Sequence, residues 1–316
     1  MKLRLIRRNS LNQLLLGLCI GVASLTQAAE SDTNTLTVCL NKDNAPFSFI
    51  KGETEGGFDY LVAQAVAREL GKTLSVRWYE KERRSRVPVS VKTSVMITAG
   101  ICQLVGSYPL IQSSLVHEAG VDSTHLPPIK GLSAERREQM IKGSPLVAGP
   151  AYYFAGITPV FGAHVPEAAL TSLDDLKPYR IGNRPSSIGD LITMAYKKGV
   201  LIQNVIHVDA RLEPLDALSR SEFDVTLSEA HKLDMYQAAH PQSGLRASGL
   251  MLPVGFNLGF VSTQEHVVLL NQVGNAIAVL LENGALHKAA RDAGLTYITP
   301  ASPAVGSGLG LEKMTQ

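Results

Sequence analysis

The stretch from Leu36 to Gly71 constrains the fold of this chain more than any other. It opens on an apolar run, Leu36–Leu40, that reads as a buried strand, and passes through a loop carrying Asp43, Asn44, Pro46 and Phe47. Helical spacing follows. Leu61, Val62, Ala65, Val66 and Leu70 share a face, Asp59 stands where a cap is expected, and Gly71 marks the stop. A strand that feeds a helix through such a loop puts the loop at the carboxyl edge of a parallel sheet, where open α/β folds hold ligands.

An export signal precedes this unit. Lys2, Arg4, Arg7 and Arg8 lead into an apolar run from Leu14 to Leu25, then small residues around Ala28-Ala29. That order predicts a secretory signal over residues 1–28, its apolar run too short to span a bilayer comfortably. A lipid anchor at Cys19 is the alternative, disfavoured because Leu18 precedes it where a small residue is expected. The mature chain is then expected in the periplasm. The net charge of +2 belongs largely to the signal: without its four basic residues, 26 basic side chains face 28 acidic ones. A near-neutral chain argues against nucleic acid or an anionic membrane as partner. With Cys19 removed, Cys39 and Cys102 remain, each inside an apolar run. In an oxidising compartment they are expected to form a disulfide rather than a metal or redox site, since they lack CxxC spacing and a His cluster.

Two α/β runs follow one another. The first reads as strand Leu36–Leu40, its helix, strand Leu74–Tyr79, helix Val87–Thr98 and strand Ile101–Val105. Residues 107–149 break this rhythm and read as an insertion with one short helix near 134–142. The second run alternates from Leu173 to Ala239, and a long amphipathic helix from Glu265 to Leu281 comes later. Extended segments near Pro150–Phe161 and Leu252–Val261 join the runs, so the pattern predicts an α/β protein of two lobes with two crossovers, able to close by hinge bending. The expected boundaries are 29–150 for the first lobe with its insertion, 151–252 for the second, 253–300 for the return to the first, and 301–316 as a Gly- and Ser-rich disordered tail.

LTVCLNKDNAPFSF with GGFDYLVAQAVARELG, then TSLDDLKPYRIGNRPSS and PLDALSRSEFDVTLSE, resemble the type 2 periplasmic solute-binding proteins that feed ABC transporters. A narrower similarity, carried by Cys39, Pro46-Phe47-Ser48, Gly57-Phe58, Trp78 and Gly100-Ile-Cys102, is to the branch associated with periplasmic quinoprotein alcohol dehydrogenases. Gln103 departs from it where an Asp usually follows the Cys, as does Glu229-Ala-His where that branch has Trp-Gly-Pro.

The resemblance implies that Phe47 stacks on a ligand, against the alternative that it packs under its own loop. It implies that the loop at Ser186 and Ser187 offers helix N–H groups to a carboxylate, against plain capping, and that Glu229 meets a ligand ammonium. Asn44 lies beside Phe47 and is a further candidate, although Asp43 and Asn44 are also ordinary turn formers. The basic run Arg83-Arg84-Ser-Arg86 reads for the most part as a solvated charged face, with Arg84 the one residue expected to enter the cleft, and Tyr108 is a candidate stacking or hydrogen-bonding contact. The Arg that amino-acid binders carry after the third strand is missing here. His231 reads as a surface residue.

No catalytic motif, nucleotide loop or metal-ligand spacing is present, so no cofactor and no metal is expected. The reading is a non-enzymatic monomer that captures a small polar molecule for a membrane permease. The alternatives are an accessory protein of a periplasmic PQQ-dependent, methanol-type dehydrogenase and, third, a cleft dehydratase using Glu229.

Overall fold

In the computed structural model, residues 34–80, 87–116, 133, 135, 145–167 and 169–314 are described. The signal region, Arg83, Arg84, Arg86 and the helix expected at 134–142 (Glu135 apart) lie outside them.

The strands are β1 Thr35–Asn41, β2 Asp43–Asn44, β3 Ser48–Lys51, β4 Thr54–Gly56, β5 Thr73–Tyr79, β6 Leu104–Pro109, β7 Leu146–Phe161, β8 Ile181–Asn183, β9 Val205–His207, β10 Val225–Glu229, β11 Arg246–Ala247 and β12 Gly255–Thr263. The helices are α1 Phe58–Glu69, α2 Val89–Thr98, α3 Gln112–Leu115, α4 Ile188–Ala195, α5 Pro214–Ser219, α6 Ala230–Ala239, α7 Val267–Glu282 and α8 Ala285–Asp292.

The main sheet runs β5-β1-β6-β12-β7-β10-β8-β9, with β11 beside β7. β1 pairs in parallel with β5 and β6, and β8 in parallel with β10 and β9, which are the pairings expected of two α/β runs. The two halves are not separate sheets, however. β7 pairs with β12 from Leu146 to Gly156 and with β10 from Ile157 to Phe161, so one long strand serves both lobes. β7 and β12 are the two crossovers.

Each lobe has its own core. In the first, Leu36, Val38, Leu40, Val62, Val66, Phe260, Val273 and Ile277 pack β1 and β12 against α1 and α7. The other face of that sheet buries Cys39, Cys102, Val105 and Tyr108. Cys39 and Cys102 are joined in a disulfide. The second lobe buries Ile157, Phe161, Ile181, Ile192 and Leu227.

Three expectations shift. The third strand lies at Leu104–Pro109 rather than Ile101–Val105, because Cys102 is drawn to Cys39 before the chain enters the sheet. The insertion is accordingly shorter: Ser107–Pro109 belong to β6, and β7 begins at Leu146. The tail is the largest correction, since Ala301–Met314 follows a hydrogen-bonded path along β12 and buries Met314 in the second-lobe core.

No single described helix is long and apolar enough to cross a membrane. The bent pair formed by Gln264–Glu282 and α8 passes a length and composition test together, and both members contribute to the first-lobe core.

Candidate functional site

The carboxyl ends of β1 and β6 meet the start of α1 in a polar network. Ser107 takes a left-handed backbone, φ 56°. Its N–H donates to the Tyr152 phenol oxygen at 2.6 Å, Tyr152 donates to Asp59 Oδ1 at 2.9 Å, and Asn44 Nδ2 donates to Ser107 Oγ at 3.1 Å. Asp59 is fully buried, and its Oδ2 has no hydrogen-bond partner among the described residues. Burial pushes its carboxyl up to about 6, with Ser107 and Tyr152 pulling it back.

Asp59 does not cap α1. Gly57 is the N-cap residue, and the loop before it supplies main-chain acceptors instead: Phe58 N–H donates to Pro46 O at 3.0 Å and Asp59 N–H to Phe47 O at 2.7 Å. With its first N–H groups satisfied this way, the helix leaves the Asp59 side chain free to turn toward Tyr152.

Phe47 is only 5 % exposed. Its ring meets Tyr153 of β7 edge-on at 5.4 Å and His231 of α6 at 5.1 Å. Its packing partners thus come from the crossover and the second lobe rather than from its own loop. Tyr153 also meets Tyr297, with centroids 6.4 Å apart. Tyr153 Oη, Tyr297 Oη and His231 Nδ1 are buried without hydrogen-bond partners among the described residues. His231 is therefore half-buried rather than a free surface residue; burial lowers its pKa, with Glu229 opposing.

Tyr108 does not join this group. It is 2 % exposed, packs on the disulfide face of the sheet, and donates its hydroxyl to Ser114 O. Strand alternation puts neighbours on opposite faces, so Ser107 reaches the network and Tyr108 turns away. Sequence reasoning missed Ser107 and Tyr152. The alternation along β6 is the available signal for Ser107, but it points there only with the strand at Leu104–Pro109 rather than Ile101–Val105.

In the second lobe, Ser187 Oγ accepts from Asp190 N–H at 3.2 Å and caps α4. Ser186, at φ 60°, donates its N–H to Asp190 Oδ2 at 2.8 Å. Ser187 thus caps the helix, and its own N–H closes the turn before it on Arg184 O at 3.1 Å. Arg184 reaches Leu212 O at 2.9 Å and Glu213 Oε2 at 3.1 Å, while its Nε is buried without a partner. Glu229, the last residue of β10, pairs with Lys232 at 2.8 Å. Burial pushes the Glu229 carboxyl up, but Lys232, its own backbone N–H and His231 together hold it below its ordinary value.

The contact between Phe47 and His231 links the two sets of residues, because His231 lies just beyond Glu229. A second link lies nearby: Thr296, after α8, donates its N–H and hydroxyl to Asp234 of α6 at 2.7 and 2.9 Å. A groove of about 530 Å³ lies elsewhere, between α1 and α7, lined by Glu69, Lys72, Gln272 and Asn275; among the described residues, none of the expected site residues borders it. Among the described residues, no three His, Cys, Asp or Glu side chains are grouped to hold a metal.

The same architecture occurs in known structures. The chain is similar to the L-cystine solute receptor of Neisseria gonorrhoeae in its unliganded open conformation, at 18% identity over 84% of this chain and 94% of that one, TM-score 0.59. It is similar to Lactococcus lactis GlnP substrate binding domain 2 in open conformation, at 15% identity over 84% and 96%, TM-score 0.59. The chain has the type 2 periplasmic binding protein fold. This fold also includes an ancestral cyclohexadienyl dehydratase, 17% identical over 83% and 92%, TM-score 0.55. No protein-family description and no curated protein matches the chain.

Proposed function

We propose that this protein captures a small polar ligand, amino-acid-like or an organic acid, between its two lobes in the periplasm and hands it to an ABC permease. The observation that carries the reading is the two-lobed fold with its paired crossovers, β7 and β12, beside which Phe47 of one lobe meets His231 of the other, two residues beyond Glu229. The names of its structural neighbours support it: an L-cystine receptor and a substrate-binding domain of a putative amino acid ABC transporter from Streptococcus pneumoniae, 15% identical with TM-score 0.58. Residues 29–150 and 253–300 then form one lobe and 151–252 the other, after a signal over 1–28. The working unit is a monomer without cofactor.

Thermal-shift titration with amino acids and organic acids tests this. A binder raises its unfolding midpoint with ligand concentration by mass action. Silence across the library, with a periplasmic quinoprotein dehydrogenase co-purifying, would overturn it in favour of the accessory role, for which the Cys39, Trp78 and Gly100-Ile-Cys102 similarity is the support. The dehydratase reading has Glu229 as its one acid, and Lys232 already holds that carboxylate. Turnover that survives Glu229→Gln would remove it.

A further inference from the structure

The tail bridges both lobes beside the crossovers, and its bonds are specific. Asn257 of β12, nearly buried, grips it with both ends of one amide: Nδ2 donates to Ala301 O at 2.8 Å and Ala304 O at 2.9 Å, and Oδ1 accepts from Ala301 N–H at 2.8 Å. Gly306 then bonds the first lobe in both directions, its N–H to Leu110 O and its carbonyl from Gln112 N–H, each at 2.9 Å. Val305 packs into the core that holds the disulfide. Beyond a contact of Leu309 O with Gly255 N–H at 2.9 Å, the chain turns at Gly310, φ 78°, and forms a short 3-10 turn, Leu311–Met314. Leu311 and Met314 pack into the second-lobe core with Ile181, Ile192 and Leu227; Met314 is 7 % exposed.

We propose that Ala301–Met314 is a strap: a third connection between the lobes that restrains how far they rotate about β7 and β12. Its first-lobe anchor ends at Gly306 and its second-lobe anchor begins at Leu311. Across Ser307-Gly-Leu-Gly, the five Cα–Cα steps from Gly306 to Leu311 reach at most about 17 Å when fully drawn out. Opening the lobes must take up that slack, and then either break the Gly255–Leu309 bond or pull Met314 from its pocket. Both losses are local and reversible, which is what a hinge restraint requires. The inference rests on the fold alone, so it stands or falls separately from the ligand-capture reading.

The test measures the distance between spin labels on non-cysteine residues introduced at exposed Val268 in the first lobe and Val200 in the second, without ligand. Three altered chains are compared with the full one: a deletion of 301–316, Met314→Asp, and an insertion of several glycines between Ser307 and Gly308 that leaves both anchors in place. Lys313→Ala, an exposed neighbour, is the control. The strap predicts a broadened and shifted distance distribution in all three, with the control superimposing on the full chain. If the deletion or Met314→Asp fails to fold, the insertion decides, since it removes no contact. A lengthened chain whose distribution matches the original in mean and width overturns the proposal.

Discussion

Asp59 shows what a single residue contributes that its position in a pattern does not reveal. Its place before an apolar helix suggested a cap, yet backbone carbonyls from the preceding loop take that role and the carboxyl is buried against Tyr152. A carboxyl raised from 3.8 to about 6 favours the folded state most while protonated, so its contribution is fullest below the ordinary value and is lost as pH rises through about 6. The shift corresponds to roughly 3 kcal/mol. Asp59→Asn keeps an acceptor for Tyr152 and removes the titration. Denaturant unfolding between pH 4 and 7 should show the stability difference between variant and parent moving in the variant's favour as pH rises. A constant difference across that range would refute the assignment. Nothing in one sequence distinguishes a capping Asp from a buried one, because the distinguishing partner, Tyr152, lies far along the chain. Tyr108 is a related case: its residue type suits a cleft, but its strand register turns it the other way.

At the scale of elements, reading was easier where a period and a stop signal coincided. α1, with its apolar period and Gly71 after it, is legible to within about two residues at its start although its cap is not, and β5 and α7 are legible to within a residue or two. The errors fall where a long-range link moves an edge, as the Cys39–Cys102 disulfide does for β6. The start of α1 also carries a prediction. Gly57 has φ 104°, and a Cβ there would stand 2.4 Å from Phe47 O, the carbonyl that receives Asp59 N–H. Gly57→Ala should therefore cost about 1–3 kcal/mol through backbone strain and displacement of the Phe47 loop, read as a lower denaturation midpoint. Full stability in the variant would mean that the loop yields freely, and that the positions of Asn44 and Phe47 do not depend on the turn.

For the whole molecule, the two-lobed α/β plan with two crossovers followed from the order of the elements, whereas the path of the tail did not. Gly, Ser and Pro are what disordered segments use, and composition gives no sign of an Asn on a distant strand that will grip such a segment. The disulfide closes a loop with a sequence separation of 63, and chain-entropy reasoning gives it about 4 kcal/mol. Cys39→Ser with Cys102→Ser should lower the unfolding midpoint accordingly; an unchanged midpoint in reducing and oxidising buffer would show that the bond adds nothing.

The shared strand β7 has a thermal consequence of its own. Since it lends its edges to both halves, neither half keeps an intact sheet once the other has melted. Calorimetry should therefore record a single peak whose van't Hoff and calorimetric enthalpies agree, and two resolved peaks would mean that the halves come apart one after the other.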